Sequence, residues 1–502
     1  MIDTKALRQK ILDMAIRGKL VPQDPNDEPA SVLLERIRAE KQQLIKEDKN
    51  KKDKNDSVIF KGDDNRYYEK VGSEVKDITD EIDLECPRNW TFVRLRDLIE
   101  LISGRDLLPT QYNSDKIGIP YITGASNLLN ERIIINRWTD TPSVVSHKGD
   151  LLITCKGTIG EMVFNNIGDI HIARQIMSIR CIGANSLFIM LVLKYYVSQL
   201  QSGAKSFIPG ISRDDILKLS FIMPPLAEQT RIVNRVEELF EQVDIIEQNQ
   251  ADIDTLYDEF RKRTLTLAIQ GKLVPQDPND EPASVLLERI RAEKKAKLGK
   301  KYVDSYIYKG DDNCYYEKVG ETVTNISDEI PFDLPENWVW IRLGYVIDFS
   351  KSDTVTASQI DPTSWVLDLE DIEKNSGGLL QKKAMRETQS KSDKHSFYKG
   401  NVLYSKLRPY LNKVLVADED GYCTTEILAF DFGQNIAAQY AQIYLMSPYF
   451  VDYAMAGAYG VKMPRIGSTR GNAALMPIPP FNEQRRIVER YNTICKQLKD
   501  EV

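Results

Sequence analysis

The 502-residue sequence is poor in the residue types from which many metal and catalytic sites are built. It contains three dispersed histidines, at positions 147, 171 and 395, and six cysteines without a Cys-x-x-Cys pair. Zinc sites need clustered ligands, and disulfide frameworks need cysteines at regular spacings. We therefore expect no metal site, and we expect reduced thiols in a cytoplasmic protein, because that compartment keeps thiols reduced.

Long hydrophobic runs are also missing. No apolar run approaches the ~18 residues that a membrane helix needs. The first residues, Met-Ile-Asp-Thr-Lys, lack the apolar core of a signal peptide. The sequence thus predicts a chain that does not interact with a membrane.

Two nucleotide-related motifs are absent as well. The sequence has no Walker A motif, GxxxxGK[ST]. Its two Pro-Pro pairs follow Met223 and Ile478, whereas adenine methyltransferases place Asn before Pro-Pro and bind the target amino group with it. We expect no catalytic residue and no cofactor in this chain.

Charge is unevenly distributed along the chain. The net charge is −7, with 42% hydrophobic and 28% charged residues, an ordinary balance for a globular protein of about three domains. Residues 226–260 carry ten acidic and two basic side chains, whereas 141–224 carry eight basic and five acidic ones, and 391–478 carry nine and seven. Any nucleic-acid contact is therefore expected in the last two regions.

Three pairs of similar stretches show that the chain contains one large unit twice. The pairs are GKLVPQDPNDEPASVLLERIRAEK at 18–41 and 271–294, FKGDDNRYYEKVG at 60–72 with YKGDDNCYYEKVG at 308–320, and PPLAEQTRIV at 224–233 with PPFNEQRRIV at 479–488. Their offsets are 253, 248 and 255 residues. The intervening stretches, 96–222 and 344–477, show little similarity, so each unit has like ends and an unlike middle.

A heptad pattern predicts one long helix over 226–270. Its apolar seam runs through Ile232, Val236, Leu239, Val243, Ile246, Ile253, Tyr257 and Phe260, with Gln250 in one gap. Such a seam is typical of a coiled coil, and a lone polar seam residue can set its register. Pro224 and Pro225 precede the helix and Gly271 follows it.

The chain ends complete the same pattern. The seam restarts at Ile487 and Tyr491, and Leu7 stands where Phe260 stands in the other copy. The C-terminal helix followed by the N-terminal helix therefore rebuilds the central one, short of about six residues by the repeat offsets. We expect a closed ring with a pseudo-twofold axis, in which two antiparallel rods hold two globular domains apart.

These features resemble the specificity subunit of type I restriction-modification enzymes over nearly the whole chain. The matching marks are the GKLVPQ segments, the PP..EQ..IV helix starts, GDLLITCKGTIGEMVF at 149–164 and GNVLYSKLRPYLNKVLV at 400–416. The resemblance implies two α/β (α+β) target-recognition domains joined by two long antiparallel α-helices that form a coiled-coil spacer. It implies five segments: an N-terminal helical region 1–50, recognition domains 51–224 and 302–478, a central helical region 225–301 and a C-terminal helix 479–502.

The resemblance also implies a non-catalytic function with several partners. Each recognition domain is expected to read one half of a split site in double-stranded DNA. The helices are expected to bind two methyltransferase (modification) subunits, which use S-adenosylmethionine to methylate adenine, and motor-nuclease (restriction) subunits join to cut. The expected partner surface is repeated for two identical partners and comprises Gly18, Lys19, Leu20, Gly271, Lys272 and Leu273. The alternative is a scaffold whose two variable domains bind other proteins.

In the first variable domain the candidate DNA-binding residues fall in three places. They are Lys156 and Thr158 in CKGTIG, Arg174 and Gln175 before an apolar strand, and Lys205, Ser206 and Arg213 in a glycine-rich loop. Arginine can read guanine and glutamine adenine, while basic loop residues suit phosphates. The plainer interpretations are a tight hairpin at 155–160, an ordinary pair of polar residues at a strand edge, and a helix start at Asp214 and Asp215.

The second variable domain offers a parallel set. The candidates are Lys406, Arg408, Tyr410 and Lys413, then Thr425 and Glu426, then Lys462, Arg465 and Arg470. Interleaved basic and aromatic residues suit a DNA face, although a solvated loop has the same composition. Glutamate can accept from cytosine N4, but a lone glutamate on a strand is more often simply exposed.

Overall fold

The computed structural model describes residues 2–47, 57–81, 86–129, 132–203, 210–388, 390–460 and 462–500. The chain divides into two compact units, Met1–Gln250 and Ala251–Val502. The five predicted segments are finer than this division and stay a prediction. Among the helices of the described residues, none combines the length and the hydropathy that a membrane span requires.

In its described residues, the first unit combines six α-helices with fifteen short strands. The helices are α1 Thr4–Ile16, α2 Ala30–Glu47, α3 Leu95–Leu98, α4 Ser186–Gly203, α5 Arg213–Leu217 and the long α6 Leu226–Ile269, which continues into the second unit. The strands are β1 Ser57–Lys61, β2 Tyr67–Val71, β3 Glu74–Asp77, β4 Thr91–Arg94, β5 Ile99–Ser103, β6 Ile119–Ile122, β7 Leu128–Leu129, β8 Arg132–Ile133, β9 Trp138–Thr139, β10 Val145–Ser146, β11 Leu151–Thr154, β12 Met162–Phe164, β13 Ile170–Ile172, β14 Ile176–Cys181 and β15 Ser220–Met223.

The second unit also places a helix and three strands before its middle part, but the order of its elements then differs from that of the first. Its further helices are α7 Ala283–Leu298, α8 Ala438–Met446, α9 Pro448–Ala456, α10 Ser468–Ala473 and α11 Phe481–Asp500. Its strands are β16 Ser305–Lys309, β17 Tyr315–Val319, β18 Thr322–Asn325, β19 Val339–Arg342, β20 Thr354–Val355, β21 Trp365–Leu367, β22 Lys383–Ala384, β23 Lys394–Phe397, β24 Val402–Ser405, β25 Val414–Val416, β26 Gly421–Thr424, β27 Ile427–Phe430 and β28 Leu475–Ile478.

Small, mostly antiparallel sheets build the globular part of each unit. In the first unit the orders are β1-β2-β3, β12-β11-β14-β5, β10-β13-β6-β9, β15-β4 and β7-β8, with β13 and β6 parallel. In the second they are β16-β17-β18, β25-β24-β27, β20-β23-β26-β21-β22 and β19-β28, with β21 and β26 parallel. The mixed α and β content agrees with the expected fold class.

The central strands of these sheets are continuous apolar runs because both of their faces are covered. All four residues of β11 and all four of β24 are buried. In register, Leu152 lies opposite Ser178 of β14, and Leu403 lies opposite Ala429 of β27. Each unit therefore has one large core beneath its helices and a smaller one on the other side of this sheet. The second unit has a further small core around Trp340.

Helix α6 confirms the predicted long helix to within one residue at its end. It begins after Pro225 and ends at Ile269, and Gly271 follows with a left-handed φ of 69°. In the first unit, α1 packs against its first half, where Arg8 pairs with Asp244 and the Gln250 side chain donates 3.3 Å to the Ile2 carbonyl.

The second half of α6 buries a different face from the one that the heptad predicted. Ile253 and Phe260 are 45% and 50% exposed. Leu265 and Ala268 are buried in the core instead, and Arg261 Nε donates 3.2 Å to the Tyr491 hydroxyl of α11. The buried residues are thus offset from the heptad positions, and the continuous seam over four heptads is not maintained.

Candidate nucleic-acid interface

Three segments of the first unit meet at one loop surface, formed by residues 155–161, 173–175 and 210–213. The backbone N–H of Cys155 donates 2.8 Å to the Gln175 carbonyl, and that of Ile211 donates 3.0 Å to the Cys155 carbonyl. The predicted hairpin is present, because β11 and β12 pair across residues 155–161. We call these three segments the first loop surface.

The hairpin presents its polar residues to solvent. Lys156 and Thr158 are exposed on either side of Gly157, which has a φ of 78°. A Cβ on Gly157 would meet nothing within 4 Å, whereas one on Gly160 would lie 2.5 Å from Val197 Cγ1. Gly160 is therefore required by packing against α4, and only Gly157 leaves open space beside the exposed side chains.

Arg174 and Gln175 form the turn that precedes β14, and both are exposed. Arg174 Nε lies 2.8 Å from Asp106 Oδ2, and the Arg174 backbone N–H donates 3.1 Å to Asp106 Oδ1. Sequence reasoning missed Asp106, because it lies 68 residues before its partner. Gly104 makes this contact possible, since a Cβ there would lie 2.1 Å from the Ala173 carbonyl oxygen.

The last part of the first loop surface begins a helix, as predicted. Ser212 caps α5, where its side chain accepts from the Asp215 backbone and Asp215 accepts from the Ser212 N–H. Arg213 directs its guanidinium back onto the sheet, with Nη1 2.6 Å from the Leu101 carbonyl. Lys205 and Ser206 lie outside the described residues.

The second unit builds the same backbone framework from unlike residues. The N–H of Lys406 donates 3.0 Å to the Glu426 carbonyl, and that of Ile466 donates 3.2 Å to the Lys406 carbonyl. These bonds match those of Cys155, so Lys406 occupies its place and Glu426 occupies that of Gln175. We call residues 406–413, 425–426 and 462–467 the second loop surface.

Arg408 stands where the first unit has Gly157, and it also has a left-handed φ, of 51°. This conformation is unfavourable for a residue with a side chain. The Arg408 N–H donates 2.7 Å to the Pro464 carbonyl, and its Nε is buried without a hydrogen-bond partner among the described residues. Such local strain in a loop is a common mark of a functional position.

The remaining candidates of this hairpin differ in their freedom. Tyr410 is 49% exposed, and Lys406 is half-buried. Lys413 donates 2.5 Å to the Leu369 carbonyl, and burial lowers the pKa of its ammonium group. Of the three, the Tyr410 side chain is therefore the most accessible to a ligand.

Glu426 and Arg465 form an ion pair across the second loop surface. Arg465 Nε lies 3.1 Å from Glu426 Oε2, and Nη2 lies 3.0 Å from Oε1. These hydrogen bonds raise the pKa of Arg465 above its ordinary value. Glu426 is thus engaged rather than a lone exposed acid, while the neighbouring Thr425 is half-buried.

Two further basic candidates lie in the same part of the unit. Lys462 is exposed. Arg470 faces the protein instead, because its guanidinium lies 4.1 Å from the Tyr453 ring centroid and Nε donates 3.0 Å to the Tyr453 carbonyl. Gly457 makes room for it, since a Cβ there would lie 2.0 Å from Arg470 Cδ.

The expected partner surface contains both structural and accessible residues. Gly18 and Gly271 end α1 and α6 with φ values of 68° and 69°, and each packs against a tryptophan, Trp90 or Trp338. Their neighbours in the motif divide alike in both units: Lys19 and Lys272 are exposed, and Leu20 and Leu273 are half-buried against the cores.

The chain resembles known proteins over most of its length. Residues 87–255 match the type I restriction modification DNA specificity domain. The type I restriction enzyme EcoAI specificity subunit of Escherichia coli is 29% identical over 99% of this chain and 90% of that protein. The EcoEI specificity subunit, from the same species, is 26% identical over the same shares.

One solved structure resembles the fold over most of its length. It comes from work on complex assembly and conformational transition of the type I R-M system, is 19% identical, and covers 83% of this chain and 92% of its own with a TM-score of 0.53. It shows a similar fold, and the sequence relatives are named specificity subunits of type I restriction enzymes. The chain thus resembles the specificity subunits of type I restriction enzymes over nearly its whole length, and residues 87–255 match the DNA specificity domain of these systems.

Proposed function

We propose that this chain is the DNA sequence-recognition and scaffold subunit of a type I restriction-modification complex. Each of its two recognition domains reads one half of a bipartite site in double-stranded DNA. Partner subunits then methylate adenine at that site or cut unmethylated DNA. The chain itself supplies no methyl donor and no catalytic residue, and the complex works in the cytoplasm, where its substrate is.

The observation that carries this proposal is the matched pair of loop surfaces. The Cys155 and Lys406 backbones make equivalent hydrogen bonds, while the side chains presented around them differ. A constant framework with exchanged side chains is what two readers of different sequences require, because base edges are distinguished by donor and acceptor patterns. Positively charged residues alone would bind DNA phosphates and give affinity without sequence specificity.

Accessibility divides the candidate residues by role. Lys156 and Lys462 are exposed and can contact phosphates, which position the duplex. Arg408 occupies a strained position in the middle of the second loop surface, where its guanidinium can approach a base edge. Arg213, Lys413 and Arg470 bond to protein carbonyls and shape the loops from beneath.

The proposal also assigns a scaffold role to the repeated segments. Lys19 and Lys272 are exposed at equivalent helix ends, so two identical methyltransferase subunits can bind, one at each copy. Motor-nuclease subunits then join for restriction. The contacts of α1 with the first half of α6 and of α11 with its second half support the expected role of these helices as a spacer.

Methylation of randomised duplexes tests the recognition role. The full chain is assembled with its methyltransferase subunits, supplied with S-adenosylmethionine, and the methylated adenines are mapped by sequencing. We expect one bipartite consensus, and no methyl transfer by the chain alone. Methylation without sequence preference, together with binding of unrelated proteins to the variable domains, would instead establish the protein-scaffold alternative.

Partner stoichiometry tests the scaffold role separately. Lys19→Glu and Lys272→Glu each reverse one exposed charge outside the cores. We expect each single variant to bind one methyltransferase subunit instead of two in sedimentation, and the double variant to bind none. Unchanged binding by the double variant would place the partner surface elsewhere on the chain, with Lys156→Glu serving as the matched control.

A further inference from the structure

Each loop surface holds one arginine that is fixed by a carboxylate. In the first unit Asp106 accepts from both Nε and the backbone N–H of Arg174, at 2.8 and 3.1 Å. In the second, Glu426 accepts from Nε and Nη2 of Arg465, at 3.1 and 3.0 Å. We call Arg174 and Arg465 the anchored arginines.

The two pairs are built from opposite positions in the fold. In the first unit the turn before β14 supplies the arginine, Arg174, and the segment after β5 supplies the acid. In the second unit the equivalent turn before β27 supplies the acid, Glu426, and the segment before α10 supplies the arginine. Gene duplication preserves equivalent contacts at equivalent positions, so it does not explain the same arrangement from exchanged positions. A task that both loop surfaces share explains why the same carboxylate–arginine arrangement is present in each.

The anchoring leaves a defined part of each guanidinium available. Arginine has five N–H donors. Asp106 uses only Nε of Arg174, and neither Nη nitrogen of this 69% exposed side chain donates to another described residue. Glu426 uses Nε and one N–H of Nη2, so Arg465 retains the outer edge formed by Nη1 and Nη2, with Nη1 3.5 Å from the Met463 carbonyl.

Two parallel N–H groups match the O6 and N7 acceptors of guanine, the most common specific contact in the major groove. A phosphate is a poorer ligand for the anchored arginines, because the adjacent carboxylate would repel it and the pair has no net charge. Guanine acceptors are neutral and meet no such repulsion.

The backbone around each pair is held firmly. Gly104 and Arg105 donate to the Ile176 and Ile172 carbonyls, at 3.1 and 2.9 Å, which places Asp106 beside the turn. Arg465 exchanges two hydrogen bonds with Tyr459, at 2.9 and 3.0 Å. The guanidinium planes are therefore oriented before a ligand arrives, which favours discrimination between bases.

We infer that Arg174 and Arg465 each read a guanine in their half-site, and that Asp106 and Glu426 are the positioning residues that orient them. This inference rests on the proposed function of the chain in DNA recognition. It adds to that function two base-reading residues and their acids, and it requires a guanine at one defined position in each half-site.

Base preference at each position of the site provides the test. The full chain is assembled with its methyltransferase subunits, and methylation rates are measured on duplexes varied one base pair at a time. Arg174→Ala is expected to reduce discrimination at one guanine of the first half-site by about 5- to 150-fold, the range of one bidentate contact. Arg465→Ala is expected to do the same in the second half-site only, so each variant controls for the other.

The positioning role is tested by combining substitutions. Asp106→Ala should relax the same base pair as Arg174→Ala, and Asp106→Asn, which keeps an acceptor, should restore part of the discrimination. The Asp106→Ala, Arg174→Ala double variant should behave as Arg174→Ala alone, because the acid acts through the arginine. Glu426→Gln and Glu426→Ala form the matched series for Arg465.

Several outcomes would overturn the inference. If Arg174→Ala lowers methylation equally on all duplexes, Arg174 contacts phosphate or only holds the loop. If Asp106→Ala changes base preference in the Arg174→Ala background, Asp106 acts independently. Arg174→Lys keeps the charge and the fold, so full discrimination by that variant would refute bidentate reading. A wild-type complex without any base preference would instead refute the proposed function itself.

Discussion

The indole Nε1 of Trp90 donates a 2.9 Å hydrogen bond to Oε2 of Glu228, and Trp338 makes the same bond, at 3.0 Å, to Glu483. The tryptophan follows the first repeated segments, and the glutamate belongs to the PP..EQ motif that begins a long helix. The repeated segments of each unit are therefore bound to one another. The fold of each unit therefore depends on its own copy of these segments.

Other side chains of the same motifs add to this connection. Gln229 accepts 2.9 Å from the Asn185 N–H and donates 2.9 Å to the Pro224 carbonyl, and Gln484 makes equivalent bonds. Arg231 pairs with Asp27 and Arg486 with Asp280, both at 2.5 Å. These ion pairs join the start of α6 to the segment after α1, and the start of α11 to the segment after α6.

The first prediction concerns Glu228. Burial raises the pKa of its carboxyl, and its Oε1 has no hydrogen-bond partner among the described residues. A folded-state pKa above the unfolded value means that this group contributes its full stability below the unfolded pKa and loses it as pH rises through the folded pKa. Glu228→Gln keeps an acceptor for Trp90 and removes the titrating group. We therefore expect this variant to lose less stability than the wild type as pH rises above the unfolded pKa of glutamate, about 4.3.

Thermal unfolding at several pH values measures this effect. Glu228→Ala removes the acceptor as well and leaves the Trp90 N–H buried, which should lower the free energy of unfolding by about 1–3 kcal/mol relative to the Gln variant. Glu483→Gln is the matched variant in the second unit. An unchanged pH dependence in both Gln variants would show that the carboxyls are not the responsible groups.

The second prediction concerns the glycines that end α1 and α6. A Cβ at Gly18 would lie 3.0 Å from Pro87 Cγ, and one at Gly271 would lie 2.5 Å from Pro335 Cγ. Both positions also have positive φ, which disfavours alanine by about 1–2 kcal/mol. We expect Gly271→Ala to lower the midpoint of thermal unfolding more than Gly18→Ala.

Gly72 separates conformational strain from steric contact. Its φ is 60°, and a Cβ there would meet nothing within 4 Å. Gly72→Ala should therefore show the conformational effect alone and be the mildest of the three variants. Equal shifts for all three would mean that the contacts with Pro87 and Pro335 contribute nothing.

The third prediction concerns Asp150, which pairs with Arg180 at 3.0 and 3.1 Å. Burial by itself would raise the pKa of the Asp150 carboxyl, but the hydrogen bonds and the charge of Arg180 outweigh it, and the pKa lies below its ordinary value. The pair therefore stabilises the fold above the unfolded pKa near 4, and this contribution is lost as pH falls through the folded pKa.

Asp150→Asn should keep the local turn, because Asn401 occupies the equivalent place and accepts from the Tyr398 N–H as Asp150 accepts from that of His147, both at 2.9 Å. The substitution should lower the free energy of unfolding at pH 7 by about 1–3 kcal/mol. This loss is smaller than that for a fully buried ion pair, because the Arg180 side chain is 35% exposed. Calorimetry at pH 7 and pH 3 measures the difference. A loss that is as large at pH 3 would contradict the assignment.

The fourth prediction concerns Arg408, which occupies the left-handed position that Gly157 occupies in the first unit. Arg408→Gly removes the conformational strain, so the midpoint of thermal unfolding should not fall. The methylation rate should, however, no longer distinguish the correct second half-site from altered ones. Arg408→Ala also removes the guanidinium but keeps the strain, so it is the control for the effect of the strain on stability. Equal changes at both half-sites would contradict two independent readers.

Local patterns predicted the elements of the candidate interface but not its side-chain pairs. The hairpin after Thr154 and the helix start at Asp214 and Asp215 follow from glycine, polar and acidic residues within a few positions of one another. Asp106 and Arg174 are 68 residues apart, and Glu426 and Arg465 are 39 apart. No periodicity links residues at such distances, so their pairing was invisible in the sequence.

By itself, the sequence determined the repeat, the family resemblance and helix α6, because identical segments, heptad spacing and flanking prolines and glycine are all local or directly comparable. Only the tertiary structure decided which face of α6 is buried. The heptad placed Ile253 and Phe260 in the seam, but Leu265 and Ala268 are buried in the core instead. A helix repeats every 3.6 residues whatever lies beside it, and the direction from which a neighbouring helix approaches is set by packing between segments distant in the chain.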